Sequence, residues 1–338
     1  MKTCIRIISS LALLIYLSVP AYGQQTLLWK VSGNGLKKDA YLFGTHHLVP
    51  GSFLESFPKA AKHLRKSKNV VVEVVLDSSK IAPLNALMLQ PEGPGWIGEL
   101  RPSTRQSLDS VLNVHMGASI EQLAVLRPAA ISTILSLSLT QAESGELLKK
   151  YKGLPLDASI ATKATKRKQN LIELESLEQQ FNLLYVQPPL DSQIAELHQM
   201  VTLLDSVGPY SRHLITSYLQ QDVAGMQKML SDYAANFGGM EKLLDERNAE
   251  WMKQLPRIFE SGSSFVAVGA LHLFGENGLI DLLQKAGYEV TPVKNRADES
   301  TTFETGMDMV MWIALIIVLS TADAGTAPKT APNLSKHG

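Results

Sequence analysis

The chain has 338 residues, 45% hydrophobic and 19% charged, which is ample material for a packed globular core. Lys plus Arg and Asp plus Glu each total 32, so the formal charge is zero and nothing in the balance indicates a nucleic-acid surface or a polybasic membrane contact. Cys4 is the only cysteine and precedes the mature region, which excludes thiol catalysis, disulfides and thiolate zinc sites and leaves His, Asp and Glu to hold any metal.

Residues 1–23 join Lys2 and Arg6 to an apolar stretch from Ile7 to Val19 and a small-residue ending at Ala21 to Gly23, the pattern of a secretory signal. The stretch is shorter than the ~20 residues of a spanning helix, so cleavage is expected ahead of an uncleaved anchor, and with it an exported, periplasmic or extracellular protein. The domain proper is expected over 24–296. It begins with two strand-like runs, LLWKV and AYLFG, around the turn-rich SGNG, which predicts a β-hairpin. SFPKAAKHLRKSK has helical character, and NVVVEVVLD suits a buried strand with Glu73 inside it. From about residue 80 to 255 apolar residues recur at helical spacing, with breaks at 91–95, 152–155 and Pro188–Pro189, and QNLIELE is a candidate short strand within that block. The domain closes on strand (SSFVAVGALHL), turn (GENG), helix (LIDLLQKAG, with Gly287 as terminator) and strand (YEVTPV). An α/β (α+β) fold is therefore expected, with a central mixed sheet, strand–turn–helix elements at both ends of the chain and a large helical insertion. Residues 297–338 do not fit that plan. Their 309–322 segment, MVMWIALIIVLSTA, is short for a membrane span and reads as an interfacial anchor, a docked helix or a segment foreign to the domain.

FGTHHL at 43–48 and VGALHL at 268–273 each place a glycine three residues ahead of a histidine at the end of an apolar strand, where α/β sheets present functional groups. Gly44 and Gly269 permit a tight bend and close backbone approach, so that His47 and His272 turn over the strand ends. His46 points away from His47 in extended backbone and is set aside as a ligand. A carboxylate at Glu73 needs a partner, either a cation held with the two imidazoles or a basic side chain. Two imidazoles and a carboxylate form a hydrolase metal set. Arg247 and Asn248 lie on a helix before the second motif; the arginine pairs with Glu73 or holds an anionic substrate, the asparagine orients a water or ligand, or both are plain surface residues. Among anion sites, GENG at 275–278 reads as a plain turn. No nucleophile elbow, HExxH, Walker A or dinucleotide fingerprint is present.

In this order, YLFGTHHL, VVVEV, LPLDASIATKATKRKQNLIELESLEQQ, ERN and VAVGALHLFGENGLIDLLQKAGYEV resemble the TraB/GumN family, which takes in GumN-like, TraB/PrgY and animal Tiki proteins. The resemblance implies an α/β core related to the erythromycin-esterase and ChaN-like proteins. It also implies a metal-dependent, peptidase-like hydrolase in which His47, Glu73 and His272 hold a divalent ion, manganese or cobalt ahead of zinc. Glu73 then serves as ligand or general base, and Arg247 and Asn248, as the family's Arg–Asn pair, steady a substrate or oxyanion. The sequence departs from the family pattern at His46, where an apolar residue is usual, and throughout the tail after 296. Two other functions stay open: a metal-free His/Glu esterase-like hydrolase, and a non-catalytic envelope protein that binds a peptide or polysaccharide precursor. A peptide or small-molecule substrate, no nucleic acid, and membrane contact only through 309–322 complete the expectation.

Overall fold

A computed structural model describes residues 26–76, 78–237 and 241–294; the signal segment, Cys4 and the apolar 309–322 segment lie outside them. Six strands form one sheet: β1 (Leu28–Gly33), β2 (Ala40–Thr45), β3 (Asn69–Val72), β4 (Asn170–Glu173), β5 (Ser264–Gly269) and β6 (Tyr288–Pro292), in the order β4-β3-β5-β2-β1-β6. β1 and β2 make the expected hairpin, Leu28 opposite Phe43 and Val31 opposite Ala40, around a turn in which Gly33, Asn34 and Gly35 all have positive φ. β6 closes the other edge of β1 antiparallel, whereas β4, β3, β5 and β2 run parallel. The sheet is mixed and the fold is α/β, as the pattern of elements predicts.

The parallel strands are apolar on both faces because helices cover both. Val70, Val71 and Val72 of β3 and Phe265, Val266 and Val268 of β5 are fully buried. The crossover from β2 to β3 carries α1 (Pro58–Lys66), with proline in its first turn where no N–H is needed. Between β3 and β4 come α2 (Pro102–Met116), α3 (Pro128–Leu148) and α4 (Leu156–Lys166); between β4 and β5 come α5 (Leu190–Thr202), α6 (Leu204–Leu219), α7 (Val223–Phe237) and α8 (Arg247–Met252). Of these, α2, α3 and α5 build a second apolar cluster around Trp96, Leu108, Leu112, Ile131, Leu135 and Leu197, whereas α4, α6, α7 and α8 bury Ile160, Tyr218, Met226 and Trp251 in the cluster against the sheet. The last helix, α9 (Leu279–Lys285), is followed by Gly287 at φ +90°. Among the described residues no helix is long and apolar enough to cross a membrane.

NVVVEVVLD is not one long strand. β3 stops at Val72, and Glu73 is the first residue beyond it. The carbonyl of Glu73 accepts from the N–H groups of Leu174 and Glu175 at 3.2 and 3.1 Å, and its side chain turns toward β5, so the chain leaves the ladder there. The glycines of the two motifs also act differently from the expected bend. Neither has positive φ among the described backbone. A Cβ on Gly44 would lie 3.0 Å from Cα and Cβ of Ala270 and 3.2 Å from Leu273, so Gly44 lets the second motif pack directly on the first.

Gly44→Ala should therefore overpack this contact and destabilise the protein by about 1–3 kcal/mol. Thermal or urea denaturation checks it, and a stability equal to wild type would refute the close-packing role.

Candidate active site

The C-terminal ends of four parallel strands deliver the chemistry to one edge of the sheet. Thr45 pairs with Gly269, and Val72 with both Ala267 and Glu173, so β3 and β4 end level with each other, two residues short of the level ends of β2 and β5. The residues that follow are His47, Glu73, Glu175 and, through a short turn, His272. Sequence positions separated by more than two hundred residues thus meet because adjacent parallel strands share a register.

Glu73 is 6% exposed and fully bonded. Its Oε1 accepts the Gly269 N–H at 2.6 Å, and its Oε2 accepts from Nη2 of Arg247 at 2.7 Å and from Gln180 at 3.5 Å. Burial opposes ionisation, but His272, His47, the guanidinium and the Gly269 N–H together hold the carboxyl below its ordinary value. The basic partner that the sequence left open for Glu73 is Arg247. Gly269 allows this contact, since a Cβ there would stand 3.2 Å from Oε1.

Arg247 spends all five of its N–H donors. Nε is shared between both oxygens of Glu175 at 3.1 Å, Nη1 donates to the Leu243 carbonyl and to Nε2 of His272, each at 3.0 Å, and Nη2 donates to Glu73 and Glu175. The guanidinium also lies over the Trp251 ring, 4.9 Å from its centroid. Because arginine can only donate, Nε2 of His272 must be the unprotonated nitrogen. Nδ1 then carries the hydrogen and donates to Oδ1 of Asn248 at 2.8 Å. Asn248 is fixed in that orientation by donating Nδ2 to the carbonyls of His272 (3.2 Å) and Asn277 (2.9 Å). It is 1% exposed with both amide hydrogens committed, so it orients His272 rather than touching a substrate. Burial pushes His272 down to about 3, with Arg247 and His47 adding to that effect, and the ring is a neutral imidazole with its lone pair on the Glu73 side. Nε2 stands 4.0 Å from Oε1 of Glu73.

His47 is placed differently. Its side chain is 68% exposed, and its Nδ1 pairs with Oδ2 of Asp157 at the start of α4. Asp157 pushes it up to about 9, and it is near enough to Glu73, Arg247 and His272 for their charges to register on one another. His46 is engaged elsewhere, although the chain has left the strand and His47 lies in a turn: its Nδ1 accepts the Leu48 N–H at 3.2 Å and its ring packs at 5.3 Å on Tyr218. Burial, with His47 beside it, lowers His46 to about 4. Tyr218, buried on α6, donates its hydroxyl to the Gly44 carbonyl at 2.9 Å and so props the first motif from below. Among the described residues no three His, Cys, Asp or Glu side chains are gathered closely enough to form a ready-made metal-binding group. His272 and Glu73 are together, His47 stands to one side, and Arg247 lies between.

Asp157, Glu175, Gln180 and Trp251 were not singled out by sequence reasoning. Glu175 and Gln180 sit in an ordinary helical-looking stretch, and only β4 pairing beside β3 brings them to Glu73. Asp157 lies 110 residues from His47 and carries no local signal beyond a helix start.

The three shifted groups give stability a definite pH dependence. His272 is lower when folded than its ordinary 6.5, so the unfolded chain takes up a proton first and stability falls as pH drops from ~6.5 toward 3; Glu73, also lowered, adds to that loss below its ordinary range. His47 is raised, so its contribution is complete below its ordinary value and is lost as pH rises through about 9. Thermal denaturation across pH should show both limbs, and His47→Gln should flatten the alkaline one and weaken the acid one as well, because His47 helps hold Glu73 and Asp157 low.

The chain is 25% identical over 328 residues to Metalloprotease TIKI1 of Danio rerio, an alignment that covers 81% of this chain and 64% of that protein, so the chain spans less than two thirds of that relative's length. No solved structure matches it. The sequence pattern of the TraB/PrgY/gumN family matches residues 27–292, from the first strand to the last and through every element of the site, and the chain belongs to that family.

Proposed function

We propose that the cluster at the strand ends is the active site of a metal-dependent, peptidase-like hydrolase. The observation that carries this reading is the preparation of His272: a buried neutral imidazole whose Nδ1–H is tied to Asn248 and whose Nε2 lone pair is aimed beside an ionised Glu73. The donors suit a divalent ion. The Nε2 lone pair of His272 accepts from Arg247, so an ion held by Nε2 and by Oε1, 4.0 Å away, would take the place of that N–H. The largely buried carboxylates of Glu73, Glu175 and Asp157 outnumber the guanidinium even with His47 protonated, and leave negative charge to balance. His272 and Glu73 would hold the ion, with His47 as third donor from the exposed side, and manganese, cobalt or zinc all accept such a nitrogen and oxygen set. The chemistry supplied by a bound ion is an acidified water and a polarised carbonyl.

The side chains have separable tasks. Glu73 accepts the proton of the attacking water, its position fixed by Gly269 and Arg247. Arg247 holds Glu73 and the lone pair of His272 in place; a substrate oxyanion gains one of its N–H groups only by displacing an existing partner. His47 faces the open side and can take one of two roles: a donor to the ion once its Nε2 has lost its proton, or, in its charged form, a proton donor to the leaving group. The likeness to a metalloprotease over most of this chain supports peptides as the substrate class. The basic and apolar leader supports an activity outside the cytoplasm.

A second reading is favoured by one observation, the guanidinium seated between His272 and Glu73. Here Arg247 is the permanent cation and hydrolysis proceeds with Glu73 and His47 as base and acid, without a metal. One experiment separates the two. With a fluorogenic peptide library as substrate, hydrolysis should vanish with EDTA and return with manganese or cobalt. Glu73→Gln should lower kcat by about 10²–10⁴-fold with metal restored. Hydrolysis that ignores chelation would establish the metal-free reading, and wild-type-level hydrolysis by Glu73→Gln would remove both.

A further inference from the structure

The two motif histidines are held by the same device from opposite sides. His272 gives Nδ1 to Oδ1 of Asn248, the second residue of α8; His47 has Nδ1 on Oδ2 of Asp157, the second residue of α4. In both cases the outer oxygen engages Nδ1 and leaves Nε2 as the working nitrogen. An ionised carboxylate has acceptors only, so the nitrogen bonded to Asp157 carries hydrogen whatever the charge of the ring.

The pairing is built into the backbone rather than left to side-chain rotation. The segment after His47 is strapped to the segment before Asp157 by Leu156 N–H to the Val49 carbonyl at 2.9 Å, Gly51 N–H to Leu154 at 2.8 Å and Ser52 N–H to Lys152 at 3.0 Å. The Lys152 N–H returns to the Ser52 hydroxyl at 2.8 Å. Gly51 makes the approach so close that a Cβ there would stand 2.2 Å from the hydroxyl oxygen of Ser159, two residues along α4 from Asp157. Such fixation from both flanks is what a site needs when one exposed ring must keep a single orientation.

We propose that Asp157 is the positioning residue of His47, fixing its Nδ1–H form and turning Nε2 toward the Glu73–His272 cluster, as Asn248 does for His272. This rests on the reading of the cluster as a hydrolytic site, and it holds whether Nε2 serves as a metal donor or as a proton carrier. The test is long-range proton–nitrogen NMR of the histidine rings, recorded with His47 in its neutral form, on the wild-type protein and on Asp157→Ala, alongside peptide-hydrolysis kinetics. The wild-type ring should be protonated at Nδ1. In Asp157→Ala the proton should redistribute to Nε2, and kcat should fall about 10–100-fold with KM little changed. A wild-type His47 protonated at Nε2, or a ring pattern unmoved by Asp157→Ala, would overturn the assignment even if that variant were merely destabilised. Absence of any hydrolysis in the wild type would instead sink the functional reading, while the ring measurement would still decide the role of Asp157.

Discussion

The buried guanidinium of Arg247 is the constraint on which the rest of the site depends. Removing a charged side chain from water costs several kcal/mol unless its hydrogen-bonding capacity is met, and here two carboxylates, a carbonyl and an imidazole meet all five donors while Trp251 covers a face. The consequences run outward. Glu73 is held in its ionised form beside it, and His272 must be neutral to accept from it. Asn248 must then take the Nδ1 hydrogen. One cation thus bears on the protonation states of both Glu73 and His272.

The sheet makes that concentration of charge feasible. Four parallel strands stop within two residues of one another, and their neighbours on both faces are apolar, so the groups at the strand ends face a common edge with a dry floor. Gly44 lets the second motif lie against the first, and Gly269 lets a carboxylate reach its backbone N–H. In each motif glycine serves proximity, with no left-handed backbone involved.

The two histidines that look alike in sequence end with different electrostatics. His272 is enclosed, held by a neutral amide and stripped of charge by burial; His47 is open to solvent, held by a carboxylate and kept charged. Identical spacing from a glycine therefore does not fix a common role. Burial and the charge of the outer partner decide it.

By itself the sequence determined the hairpin, the strand–turn–helix units at both ends, the helical block between them and the nomination of His47, Glu73 and His272, because alternation, helical spacing and turn residues are local signals. It also placed Arg247 and Asn248, through their resemblance to a family pattern. Only the tertiary structure decided that β3 ends before Glu73, that Arg247 is its partner, that Asn248 serves His272, and that Asp157 and Glu175 belong to the site at all. Those facts depend on strand order and on straps between segments about a hundred residues apart. A carboxylate beside a helix start looks the same in sequence whether it faces solvent or a histidine, and its meaning comes from what the fold packs against it.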